Sequence, residues 1–152
     1  METFRTLCRG ETEGRTAPPE RLNPLVLAYV GDAVFELFVR TVLAGEHDAK
    51  AHALHVMSSR RVRAGAQAAA ARGLFDELSE EERAVFLRGR NAKTHSAPRH
   101  AESGEYSYAT ALECLFGYLY LADRQERLMQ LMRRALEIEN ITDPEEQKTF
   151  RA

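Results

Sequence analysis

Two stretches of this 152-residue chain hold carboxylates where carboxylates are hard to keep. Between Leu25 and Val39 the sequence LVLAYVGDAVFELFV is apolar nearly all round a helix, yet it carries Asp32 and Glu36 one turn apart on the same face. Between Tyr108 and Leu121 the sequence YATALECLFGYLYL has one charged residue, Glu113, with Gly117 one turn later on the same face. A helix apolar on every side is a buried helix, and the two segments share this design.

An unpaired ionised carboxylate in low dielectric costs roughly several kcal/mol, so buried acids pair with a cation, keep a proton or bind a metal. No basic residue lies in either run before Arg40. Two readings stay open. Asp32 and Glu113 could hold a hard divalent cation between facing helices; Mg2+ takes only one or two protein carboxylates and keeps several waters. Alternatively, each acid lies at the rim of its helix, solvated or bonded to a neighbouring cap or arginine. Glu36 reads as solvated or arginine-paired rather than as a ligand.

The rest of the chain predicts one all-α domain, with 44% hydrophobic and 29% charged residues. Residues 1–20, with Gly10, Gly14, Pro18 and Pro19, read as a loose tail and 141–152 as a polar one, leaving 21–140 as the domain. Asn23-Pro24 opens a helix to about Leu43, with Gly45 as its stop. A second helical region runs from near Asp48 to Gly73, with a break at Ser58-Ser59 and an alanine-rich end at Ala64–Ala71. Ser79-Glu80-Glu81-Glu82 is a capping box for a helix ending between Leu87 and Asn91. Lys93 to Ser107 reads as a long exposed loop, followed by helix from about Tyr108 to Ala122. Asp123 caps a final helix to Glu139, with Leu128, Leu131, Met132 and Leu136 on one face. Strand-like alternation and repeats are absent.

The formal charge of −2 announces no nucleic-acid partner, but its distribution is uneven. Residues 52–100 carry nine Lys/Arg against five Asp/Glu, whereas 101–122 carry three acids and no base. Arg60, Arg61 and Arg63, then Arg88, Arg90, Lys93 and Arg99, suit phosphate contacts, and Ser59 and Asn91 can add hydrogen bonds. His95 and His100 read as phosphate or sugar contacts or as simply exposed. Cys8 and Cys114 have no CxxC spacing, which points to a reduced cytoplasmic setting and away from zinc. No apolar run reaches the ~18 to 20 residues of a membrane helix, so the expectation is a soluble protein without a membrane partner.

GDAVFE at Gly31–Glu36, preceded by LAYV, resembles the signature helix of ribonuclease III, and Glu113-Cys-Leu-Phe-Gly117 is similar to that family's second acidic motif. The similarity extends to the Mini-ribonuclease III subgroup over about residues 22–139. The matching motifs are LAYVGDAVFE at 27–36, His55 to Arg60, RGRNAK at 88–93 and YSYATALECLFGYLYL at 106–121.

The resemblance implies a ribonuclease III endonuclease-domain-like helical bundle without the usual double-stranded-RNA-binding domain. It further implies a homodimeric, Mg2+-dependent endonuclease that cuts double-stranded RNA and matures large-subunit ribosomal RNA precursors, with a ribosomal protein as a possible helper. Asp32 and Glu113 match the catalytic Mg2+ ligands, and Ser59, Arg60, Arg88, Arg90, Asn91 and Lys93 are the candidate RNA contacts. Full-length enzymes carry two further acids where this chain has Ala28 and Thr110, a reduction the subgroup shares, which puts a protein-built second metal site in doubt. The competing expectations are a non-catalytic ribonuclease-III-like RNA-binding or ribosome-associated protein, and a plain helical scaffold.

Overall fold

The structure is a computed structural model that describes residues 3–12, 17–92 and 103–142. All regular elements among these residues are helical: α1 (Phe4–Gly10), α2 (Pro24–Glu46), α3 (Ala51–Val62), α4 (Ala64–Leu74), α5 (Glu80–Arg90), α6 (Ser103–Leu121) and α7 (Gln125–Thr142). Single 3-10 turns occupy Pro19–Arg21 and Phe75–Glu77. The all-α expectation holds.

Helix α6 is the axis of the bundle, with α2, α4, α5 and α7 packed against it. Its apolar circumference is consumed by these neighbours: Ala111, Leu112, Leu115, Phe116 and Leu119 are completely buried. Helix α2 is opened by Asn23, whose Oδ1 accepts from the Leu25 amide at 2.8 Å, and by Pro24 in the first turn. It buries only one side, through Leu27, Ala28, Gly31, Phe35, Val39 and Leu43. Its other side leaves Val26, Tyr29 and Leu37 exposed, Tyr29 by 81%.

The two helices cross in backbone contact. A Cβ on Gly31 would lie 1.7 Å from the Glu113 carbonyl oxygen, and one on Gly117 would lie 1.9 Å from the Leu27 carbonyl oxygen. Gly89 similarly lets α5 approach α6, where a Cβ would sit 2.6 Å from Cys114 Cβ. Both cysteines are free, Cys8 exposed and Cys114 buried.

The capping box at Ser79 is present, with Ser79 Oγ accepting from the Glu82 amide and Glu82 Oε1 from the Ser79 amide. It has a second purpose. Glu82 is 1% exposed and receives a bidentate pair of bonds from Arg127 of α7, both at 2.9 Å, which hold its carboxyl below the usual range despite burial.

Four local expectations differ from the structure. Residues 4–10 of the expected loose tail form α1, because Arg5 is buried against Asp123 at 2.8 Å and Arg9 donates to the Leu121 carbonyl at 3.0 Å. The break expected at Ser58-Ser59 falls instead at Arg63; Ser58 Oγ bonds back to the His55 carbonyl within α3, which a helix tolerates. Residues 103–107, expected as loop, are the first turn of α6. Just beyond them, the guanidinium groups of Arg72 and Arg90 lie over the Tyr108 ring, 4.6 and 5.8 Å from its centre. Asp123 ends α6 rather than capping α7. It takes a left-handed φ of 62°, its amide bonds to the Tyr120 carbonyl, and the Arg124 amide reaches back to Leu119. Residues 93–102 of the expected loop and 143–152 of the expected tail lie outside the described residues.

Two variants test this packing by chemical denaturation. Gly117→Ala forces the crossing apart and should cost about 3 kcal/mol or more. Arg127→Ala strands the buried Glu82 charge and should also cost about 3 kcal/mol, a fall in Tm of roughly 6–12 °C.

Candidate active site

The helix crossing brings the two acids together. Asp32 follows Gly31 on α2, and Glu113 on α6 is the residue whose carbonyl fills the space a Gly31 side chain would need. Asp32 is solvent-accessible, whereas Glu113 is partly buried. Burial pushes the Glu113 carboxyl up from 4.5 to about 8, the nearby Asp32 charge adds to the rise, and a hydrogen bond from the Gln67 side chain opposes it. Asp32 is also raised, by desolvation first and by Glu36 second. Glu36 is paired with Arg40 one turn on, Arg40 Nε donating at 3.1 Å, as its spacing suggested.

Neither Asp32 nor Glu113 is paired with a lysine or arginine among the described residues. The arrangement is therefore a pair of hard oxygen donors without a counter-charge, one of them accessible. Such a pair suits a cation that takes two carboxylates and completes its shell from water or substrate. No cluster of three or more His, Cys, Asp or Glu side chains suited to a metal occurs among the described residues, so a closed zinc-type cage has no support. Ala28 and Thr110 are both buried, and the Thr110 hydroxyl donates to the Tyr106 carbonyl at 2.9 Å, so neither position adds negative charge.

The candidate RNA contacts fall at two helix ends. Ser59 and Arg60 are exposed near the end of α3. Arg88, Arg90 and Asn91 sit at the end of α5; Asn91 is exposed, and Arg90 Nε contacts Asn91 Oδ1 at 3.4 Å. Arg88 donates to the Glu20 and Leu22 carbonyls at 3.2 and 3.1 Å, bracing the entry to α2. Lys93, His95 and His100 lie outside the described residues.

Sequence reasoning passed over Gln67. It is the lone polar side chain in the run AGAQAAAA, which was its only signal, and the structure buries it beside Glu113.

The profile of the ribonuclease III domain matches residues 25–124, which span both acids. The Mini-ribonuclease 3 of Symbiobacterium thermophilum is 46% identical over 121 residues, covering 80% of this chain and 93% of that protein. The Mini-ribonuclease 3 of Brevibacillus brevis is 41% identical, over 84% of this chain and 96% of its own length. A crystal structure of a Fusobacterium nucleatum protein superposes with a TM-score of 0.72 at 27% identity, covering 80% of this chain and 98% of that one. With the fold, the order of motifs and full-length relatives in agreement, the chain belongs to the ribonuclease III family, in its Mini-ribonuclease 3 group, and is an endoribonuclease.

Proposed function

We propose that this endoribonuclease cuts double-stranded RNA with Mg2+ held by Asp32 and Glu113. The observation that carries the reading is the convergence of two unpaired carboxylates, which raise proton affinity at Glu113 and lack a protein cation among the described residues. A bound divalent ion would supply Lewis-acid activation of water and stabilisation of charge developing on the scissile phosphate. Asp32, which is solvent-accessible, and Glu113, which is partly buried, would be the residues that hold it. Glu36 is paired with Arg40. The non-catalytic alternative has no comparable support, because it gives no reason for the two acids to converge.

Ser59, Arg60, Arg88, Arg90, Asn91 and Lys93 are proposed to hold the RNA backbone, reading duplex shape and 2′-hydroxyls across the shallow groove. Arg88 would do so with donors it now gives to backbone carbonyls. A homodimer is proposed from the exposed α2 stripe of Val26, Tyr29 and Leu37, which a two-fold partner would cover while presenting one site to each strand. Tyr29 is the most exposed aromatic side chain of α2, whereas Phe35 is 1% exposed and belongs to the protomer's own core. Maturation of large-subunit ribosomal RNA precursors in the cytoplasm, with a ribosomal protein as helper, is the biological setting the resemblance implies. Among the described residues no helix is long and apolar enough to cross a membrane.

Long double-stranded RNA incubated with Mg2+ should be cut, and EDTA, Asp32→Asn or Glu113→Gln should each lower the rate by about 100-fold or more while RNA binding persists. Cutting that survives EDTA or Asp32→Asn would overturn the reading.

The raised Glu113 carboxyl also sets a pH dependence. Between 4.5 and about 8 the folded state keeps a proton that the unfolded chain releases, so metal-free stability should fall as pH rises through that window. Glu113→Gln should melt above the wild type at pH 8 in EDTA and close to it at pH 5. The gap should be a few kcal/mol at most, since each pKa unit is worth about 1.4 kcal/mol.

A further inference from the structure

A cavity of about 440 Å³, a size suited to a small ligand group, opens at the corner between α3 and α4. Extended backbone at Arg63 turns the chain there, ending α3 at Val62 and starting α4 at Ala64. Arg60 and Arg63 line the cavity from the corner, and Glu105, in the first turn of α6, lines it as well. Both arginines are exposed and Glu105 is half-buried. Gly65 lies against the Glu105 carboxylate, where a Cβ would sit 3.8 Å from each of its oxygens. Arg61 and Glu139 also line the cavity, but both are buried and each is already engaged.

An acid in this place needs a reason. Arg60 and Arg63 lie on the same cavity, yet neither forms an ion pair with Glu105 among the described residues. The carboxylate therefore keeps its acceptor capacity, and it keeps its charge on the face proposed to meet RNA phosphates. Against a polyanion an unpaired carboxylate is repulsive unless the ligand donates to it. A phosphodiester has no proton to give at neutral pH, and the 2′-hydroxyl of ribose is the backbone donor that RNA has and DNA lacks. A cavity that holds guanidinium groups and a carboxylate matches the two halves of a ribose-phosphate unit, the anion meeting the arginines and the hydroxyl the acid. Glu105 stands eight residues before Glu113 on the same helix. That is a rise of about 12 Å, which keeps the cavity within reach of the strand that the acid pair would cut.

We propose that Glu105 is a specificity-determining residue for RNA: its carboxylate accepts a hydrogen bond from a ribose 2′-hydroxyl while Arg60 and Arg63 hold the adjoining phosphate. This rests on the reading of Arg60 as an RNA contact and names the group that makes the same face prefer ribose. A backbone without the hydroxyl leaves the carboxylate unpaired beside phosphate, so the acid favours RNA and also penalises whatever lacks the donor.

The test measures binding of the full chain, in EDTA so that nothing is cut, to two duplexes of one sequence. One is RNA; the other is its fully 2′-fluoro counterpart, which keeps the A-form shape and the charge but cannot donate. The wild type should prefer RNA, and Glu105→Ala should shrink that preference about 10-fold, the lower end for a hydrogen bond to a charged group. An unchanged preference overturns the proposal, whether Glu105→Ala tightens both duplexes alike, as a merely repulsive charge would, or only lowers Tm, as a merely structural one would. Arg60→Ala and Arg63→Ala serve as references. Each should weaken both duplexes equally and reduce the salt dependence of binding by about one phosphate contact. If both bind as the wild type does, RNA does not lie on this face, and the reading of Arg60 fails together with this inference. If they weaken binding while Glu105→Ala keeps the wild-type preference, only the role of Glu105 fails.

Discussion

Gly31 on α2 and Gly117 on α6 let two helix backbones touch, each missing Cβ leaving room for a carbonyl of the partner. The rest of the architecture depends on this crossing. It draws α2 close enough for Leu27, Phe35 and Val39 to seal against α6, and Phe35 meets the Phe116 ring at 5.3 Å between centres. It also fixes Asp32 beside Glu113, because the residue after one glycine and the residue four before the other are carried to the same spot. Packing and chemistry share one contact, so altering it for either purpose alters both.

Two partly or wholly buried glutamates show what separates a structural acid from a site. Glu82 is buried against Arg127 and the Ser79 cap, and its carboxyl is held down. Glu113 is buried beside another acid and is pushed up to about 8. The first is neutralised by the fold and ties α5 to α7. The second is left with its charge unresolved by any arginine or lysine among the described residues, which is the electrostatic state expected of a group awaiting a cation from outside. The cost to the metal-free protein comes from this lack of a partner, and the same lack is what the proposed metal ion would relieve.

Much of this was legible locally. The capping box at Ser79, the Asn23-Pro24 start and the apolar stripe of α7 follow from spacing and side-chain chemistry within one or two turns. Asp32 and Glu113 were visible as charges inside apolar runs. What stayed hidden depended on distant partners: α1 is held by Asp123 and Leu121, the first turn of α6 is followed by a tyrosine in contact with Arg72 and Arg90, and Gln67 is buried by elements that pack round α4. Which side of α2 is covered was hidden for the same reason. Its composition matches that of a buried helix, yet α6 and its neighbours cover one side of it and leave Tyr29 outside.

The sequence by itself determined the helical class, the capped starts of α2 and α5, and which acids stand in unfavourable surroundings, because periodicity, caps and local polarity are properties of neighbouring residues. Only the tertiary structure decided that the two acids meet and that a glutamine from a third helix is buried near Glu113. Those outcomes turn on how closely two backbones approach and at what register, and a spacing within one helix carries no information about the register between two.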